Sequence, residues 1–194
     1  MKKIAYLFVP LLAVSACSSD SRTHSEFQTP SNIGYLGPTL TSAVRGSDVS
    51  TSGDGYAYAV GVGSNSDFYG YAGIVPTTTV SVPPTAGSAT WSGTYKLAQI
   101  TGIELPAGGL QGYTVEKTGA ISLTADFTAG TLIGSGAGLT VNGTFSGSDL
   151  SGDASYGGLN GALTGKVGTT GAVGAFHGNS GTDIYAGGFM VGAP

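Results

Sequence analysis

From Gly87 onward the chain alternates between an apolar face and a face of Thr, Ser, Asn and Lys, in runs too short and too regular for anything but strands. In Ala89–Leu97, Ala89, Trp91, Gly93, Tyr95 and Leu97 share one face. The same period of two places Ile121, Leu123, Ala125 and Phe127 together in 120–127. It does so for Leu139, Val141, Gly143 and Phe145 in 139–145, and for Leu159, Gly161, Leu163, Gly165 and Val167 in 159–167. Further short strands fit at 110–116, 131–134, 171–177 and 184–191, each bounded by Gly, Asn or Asp turns. One packed face and one wet face describe antiparallel strands. The expected fold is all-β, with eight antiparallel strands over residues 87–194.

Such strands can close into a small up-and-down barrel filled by its own side chains, or stack as a sandwich. The 35 glycines favour the barrel. Gly93, Gly143, Gly161, Gly165 and Gly174 fall on the apolar face, where a missing side chain makes room for Trp91, Tyr95, Phe127, Phe145 and Phe176, and glycine also permits strong coiling.

Upstream the pattern weakens. Residues 17–53 are rich in Ser, Thr, Pro, Asn and Gly with isolated apolars, which reads as a flexible tether. Residues 54–86 read as a small β-hairpin unit, with Gly55–Val62 and Asp67–Val75 joined by the turn sequence Gly63-Ser64-Asn65-Ser66 and followed by a proline-interrupted stretch. Tyr56, Tyr58, Phe68, Tyr69 and Tyr71 crowd this hairpin. Tyrosine suits binding surfaces because it joins area to a polar tip, so these five are the candidate ligand surface; the alternative is that they form the hairpin's own core.

The first 16 residues carry Lys2 and Lys3, an apolar run from Ile4 to Val14, and the small residues Ser15 and Ala16, the three parts of a secretory signal. The run is too short to span a membrane, which needs about 20 residues. Val14-Ser15-Ala16-Cys17 resembles the lipobox of bacterial lipoproteins, which implies cleavage before Cys17 and its lipidation. Ser18 and Ser19 after the cysteine favour the outer membrane, by resemblance to enterobacterial lipoproteins. Cys17 is the single cysteine, so the exported chain forms no internal disulfide. Of 7 Lys and Arg, loss of Lys2 and Lys3 leaves 5 against 11 acidic residues, a net charge of −6. An acidic surface argues against nucleic acid, which needs a basic footprint.

No catalytic constellation, cofactor fingerprint or metal-ligand set emerges. His24 lies in the tether region, and His177 reads as a surface histidine. Asp149 and Asp153 read as solvated turn aspartates, without the nonapeptide repeat of calcium-binding solenoids.

Four segments in order carry a family resemblance. Trp91-Ser-Gly-Thr-Tyr95 looks like an opening strand of the β-barrel domain of transferrin-binding protein B. Residues 125–134 (ADFTAGTLIG) are similar to its Asp-Phe strand end, turn and Thr-Leu-x-Gly strand. Residues 139–147 (LTVNGTFSG) resemble its Phe-Ser-Gly strand. Residues 174–178 (GAFHG) with 186–189 (AGGF) resemble its terminal hairpin. The resemblance implies a surface lipoprotein with an eight-stranded barrel, preceded by a smaller β handle of which Gly55–Val82 is read as a remnant. It also implies a non-catalytic, monomeric chain anchored to the membrane through Cys17 and binding a macromolecular or nutrient-carrier ligand, with display at the cell surface. A structural envelope lipoprotein without a specific ligand is the alternative. One barrel in place of two lobes leaves transferrin itself unassigned.

Overall fold

A computed structural model of the chain describes residues 22–37, 39–104 and 111–192. Among these residues there are twelve strands and no helix. Four form an N-terminal sheet: β1 (Thr23–Phe27), β2 (Thr41–Val49), β3 (Gly55–Val62) and β4 (Phe68–Ile74). Its order is β1-β4-β3-β2, with β1 parallel to β4 and the other pairs antiparallel. Eight strands close into an up-and-down antiparallel barrel: β5 (Ser88–Glu104), β6 (Gln111–Asp126), β7 (Thr131–Gly136), β8 (Leu139–Ser146), β9 (Asp149–Tyr156), β10 (Leu159–Val167), β11 (Gly171–Asn179) and β12 (Ile184–Gly192). The register closes where Ile184–Val191 of β12 pair with Ile100–Gly93 of β5.

The barrel is filled by its own side chains. Tyr95, Leu97, Leu123, Leu132, Leu139, Phe176, Tyr185 and Phe189 meet inside it. At one end Tyr156 stands between Tyr95 and Tyr185, at ring separations of 6.2 and 6.4 Å. The hydroxyls of Tyr95 and Tyr185 donate to the carbonyls of Ala137 and Ala154. At the other end Phe127 meets Trp91 and Phe145 edge-on, both at 6.1 Å, a favoured aromatic geometry. Glycine makes this density feasible. Tyr95 lies directly across the ladder from Gly119, Tyr185 from Gly178 and Phe189 from Gly174. A Cβ at any of the three glycines would sit 2.4–2.6 Å from the facing ring.

The strand count matches the expected eight, but two assignments change. Of the runs expected at 110–116 and 120–127, residues 111–116 and 120–126 belong to one strand, β6, which passes unbroken through Lys117-Thr118-Gly119, with the Tyr95 ring lying over Gly119. The missing strand is β9, read from sequence as turns. Asp, Ser and Gly are poor strand formers, yet Leu150, Gly152 and Ala154 point inward while Asp149 and Asp153 take the wet face.

Of the tether expected over 17–53, Thr23–Phe27 and Thr41–Val49 are strands, β1 and β2, at the edges of the N-terminal sheet. The hairpin β3–β4 is the centre of that sheet. Cys17 and the signal segment 1–16 lie outside the described residues. The sheet packs on the outer wall of the barrel over β11, β12 and β5. There Tyr56, Tyr58, Val60, Phe68 and Ala72 meet Ala98, Ile100, Val173, Ala175, Ile184 and Ala186. Small wall residues permit a close approach: the Tyr56 ring rests on Gly188, where a Cβ would lie 2.2 Å away. On the sheet's other face Leu36 covers Ala57, Ala59 and Tyr71.

Candidate functional site

The five aromatics singled out from sequence split between the two faces of the N-terminal sheet. Tyr56, Tyr58 and Phe68 belong to the core between sheet and barrel, and Tyr71 to the cluster under Leu36. All four are largely buried and hold the lobe together. Burial, with the nearby carboxylate of Glu116 and then that of Asp48, pushes the Tyr58 hydroxyl up to about 12. Burial pushes Tyr56 up as well, ahead of contributions from Asp48 and Tyr58. The Tyr56 hydroxyl has no hydrogen-bond partner, alone among buried side-chain polar atoms of the described residues.

Tyr69 is half-buried and fronts open space. It lines a shallow polar cleft with Thr23, His24, Ser25, Glu26 and Asn179, and a second with Leu40, Asn65 and Tyr71. The ring of His24 stacks on it at 5.0 Å, and Asn65 Nδ2 donates to its hydroxyl at 2.9 Å. His24 Nε2 also lies 3.3 Å from Asp67, and Arg22 is 3.8 Å from the same carboxylate. These pairs are exposed, and such pairs contribute about 0–1 kcal/mol.

The first cleft sits on a seam where β1 meets the end of β11. His177, expected at the surface, is buried here under Phe27, whose ring meets it edge-on at 4.3 Å. Burial pushes the His177 pKa down, and Glu26 pulls it partly back. His177 Nδ1 lies 2.9 Å from Ser25 Oγ, the pairing from which an activated nucleophile could be built. The surrounding bonds show otherwise. Asn179 Nδ2 donates to the Thr23 carbonyl, which fixes the amide and leaves Asn179 Oδ1 to accept from Ser25 Oγ at 2.8 Å. The serine proton is therefore committed to Asn179, and His177 Nδ1 carries the proton given to Ser25. Histidine is the donor in this pair, the reverse of a general base.

Sequence reasoning did not find this seam. Its one signal is that Thr23, Ser25 and Phe27 share a face of a five-residue run free of Gly and Pro. Asp149 and Asp153, on the outer wall, face different neighbours. Asp149 pairs with Lys166, and Asp153 lines a shallow groove with Thr140, Asn142, Ser155 and Asn160. No group of three His, Cys, Asp or Glu able to hold a metal ion occurs among the described residues.

No family model matches the chain, and no curated protein matches it. Among solved structures it is similar to a transferrin-binding protein B from Haemophilus parasuis Hp5, with 14% identity and a TM-score of 0.45 over 77% of this chain and 36% of that one. A structure described as a surface lipoprotein is similar at 15% identity and a TM-score of 0.46, over 76% of this chain and 80% of that one. The haemoglobin receptor HpuA from Kingella denitrificans is similar at 18% identity and a TM-score of 0.34, over 70% and 54%. The chain thus spans about a third of the length of the transferrin-binding protein B structure.

Proposed function

We propose that this chain is a non-catalytic surface lipoprotein, anchored in a bacterial outer membrane through a lipid on Cys17, whose barrel-and-sheet lobe binds a macromolecular or nutrient-carrier ligand. The observation that carries the reading is a filled barrel downstream of a lipobox-like segment. Tyr95, Tyr185, Phe176 and Phe189 occupy the space in which a barrel of this size would hold a small ligand, so recognition falls to the outer surface. An outer surface suits a folded partner better than a metabolite, which binding proteins enclose in a pocket. Of the five aromatics first considered, Tyr69 is the one such a partner can reach. The resemblance of residues 87–191 to the transferrin-binding protein B barrel supports a protein ligand, as do the transferrin and haemoglobin named for the structurally similar proteins.

The test has two stages. Intact cells treated with protease should lose the barrel from immunoblots, and radiolabelled palmitate should enter the wild-type chain but not Cys17→Ala. Purified lipidated protein should then bind transferrin, haemoglobin or another host nutrient carrier, and Tyr69→Ala should weaken that binding without lowering the melting temperature. Protection until lysis, or labelling that survives Cys17→Ala, would sink the reading of an anchored surface receptor.

A further inference from the structure

We infer that the lobe is held close against the bilayer in one orientation, with the β3–β4 and β11–β12 turns facing the lipid headgroups and the opposite end of the barrel facing outward. This rests on the lipid-anchor reading of Cys17 and adds to it a membrane-facing surface. The starting point is the loss of the tether. A chain free from residue 17 to residue 53 could carry the lobe more than about 100 Å from its anchor. The structure instead fixes the chain from Arg22 onward. Six residue steps separate Cys17 from Thr23, a reach of at most about 20 Å even when fully extended.

Thr23 cannot be drawn away cheaply. It is buried, and it starts a parallel pairing of β1 with β4 that runs from Thr23↔Phe68 to Phe27↔Ala72. The Thr23 hydroxyl donates to the Ser180 carbonyl. Asn179 Nδ2 donates to the Thr23 carbonyl at 3.0 Å, and Ser25 bridges Asn179 and His177. Just upstream, Phe68 N donates to the Arg22 carbonyl at 2.8 Å, and the Arg22 side chain pairs with Asp67. The chain therefore leaves the lobe at a fixed point between the β3–β4 turn and the β11–β12 turn.

That point defines an end of the molecule. Thr182 O accepts from Ile103 N, so the β5 end joins the same surface. The tips of those turns, Gly63–Ser66 and Ser180–Thr182, carry no charged side chain, while Arg22, Asp67, Glu104 and Asp183 flank them. The tips can meet headgroups while the flanking ions keep their water, whose loss costs several kcal/mol per buried charge. Ten residues of β5 separate Trp91 at the other end from Thr101 at this one, about 33 Å of strand. A folded ligand arriving from outside meets the Trp91–Phe127–Phe145 end and the polar wall first, and meets Tyr69 from the side, on the sheet face turned away from the barrel.

The experiment uses the full lipidated chain in vesicles of neutral phospholipid carrying a headgroup acceptor dye. Lipidation occupies the thiol of Cys17, so Gly181→Cys and Ala129→Cys each offer one site for a donor dye, at the two ends. Both positions are exposed, and a side chain at Gly181 meets nothing within 4 Å. Energy transfer to the bilayer should be several-fold stronger from position 181 than from 129. A twelve-residue Gly-Ser insertion after Ser19 should bring the 181 signal down to the 129 level, and Ser25→Ala with Asn179→Ala should lower it in part. Equal transfer from both ends, unchanged by the insertion, would overturn the orientation while leaving the anchor intact. Failure of the protein to float with the vesicles would instead remove the anchor itself.

Discussion

The two outer walls of the barrel are made differently although the inside is continuous. On β7–β10 the outward side chains include Thr131, Ser135, Thr140, Asn142, Thr144, Ser151, Asp153 and Asn160, short, polar and wet or partly wet, with Ile133 and Ala162 as exposed apolar exceptions. On β11, β12 and β5 the outward positions are Val173, Ala175, Ile184, Ala186, Ala98 and Ile100, which lie under the N-terminal sheet. The first wall alternates in sequence. The second does not where the sheet covers it, on β11, β12 and the far half of β5, because a strand buried on both faces reads as one apolar run. Sequence period here distinguishes a wall that faces water from a wall that faces another sheet.

The sharpest way to break this contrast is to place a charge on each wall. Ala175→Asp puts a carboxylate with no partner into the seam between sheet and barrel, and should destabilise the lobe by about 3–5 kcal/mol in denaturant unfolding. Thr140→Asp, on the polar wall, should change stability by less than about 0.5 kcal/mol. Equal costs would mean that the sheet is not docked as described. A steric version has a smaller effect. Gly188→Val should cost about 1–3 kcal/mol as the Tyr56 ring is forced off the wall, whereas Asn142→Val should leave the unfolding midpoint near its wild-type value.

This contrast also separates what the sequence disclosed from what it hid. The barrel was legible because Leu139, Val141, Gly143 and Phe145, and their counterparts on other strands, keep period two without interruption. β9 was hidden because Leu150, Gly152 and Ala154 give it a weak inward face between polar residues that favour turns. β1 and β2 were hidden because edge strands owe their order to the surface they land on, and Thr23–Phe27 is shaped by Phe68–Ala72 and Asn179 across the fold. The aromatics of β3 and β4 were visible as a cluster, but their burial was not. The clue lay in Gly55–Val62 and Gly171–Gly178, whose small and apolar residues fill both faces, so that each strand needed a second layer.

Titration offers a milder probe of the same seam. The Tyr58 pKa stands near 12 in the folded lobe against 10 for a free tyrosine. Above pH 10 the unfolded chain sheds the proton that the folded one keeps, so stability falls as pH rises through 10 to 12. The loss should be on the order of 1–2 kcal/mol, less than the full shift implies because part of the seam is open to solvent. Denaturant midpoints at the two ends of that window should differ in the wild type and differ less in Tyr58→Phe. A flat wild-type profile would place Tyr58 in water and take the buried sheet–barrel seam with it.

The smallest effect sharpens the comparison most finely, since it divides one residue into two parts. The Tyr56 ring covers Gly188, while its buried hydroxyl finds no partner. A buried hydroxyl that has lost its water without gaining a bond costs about 1–3 kcal/mol, and Tyr56→Phe removes it while keeping the ring. Stability should hold or rise by up to about 1 kcal/mol. Tyr56→Ala, which leaves the wall bare, should cost about 3–5 kcal/mol. If Tyr56→Phe instead lowers the unfolding midpoint, the hydroxyl bonds to the barrel, and the neighbouring Lys96 backbone amide is the group in reach. The seam would then be held by a polar contact as well as by small residues under a ring, and the apolar wall would differ from the polar one in degree only.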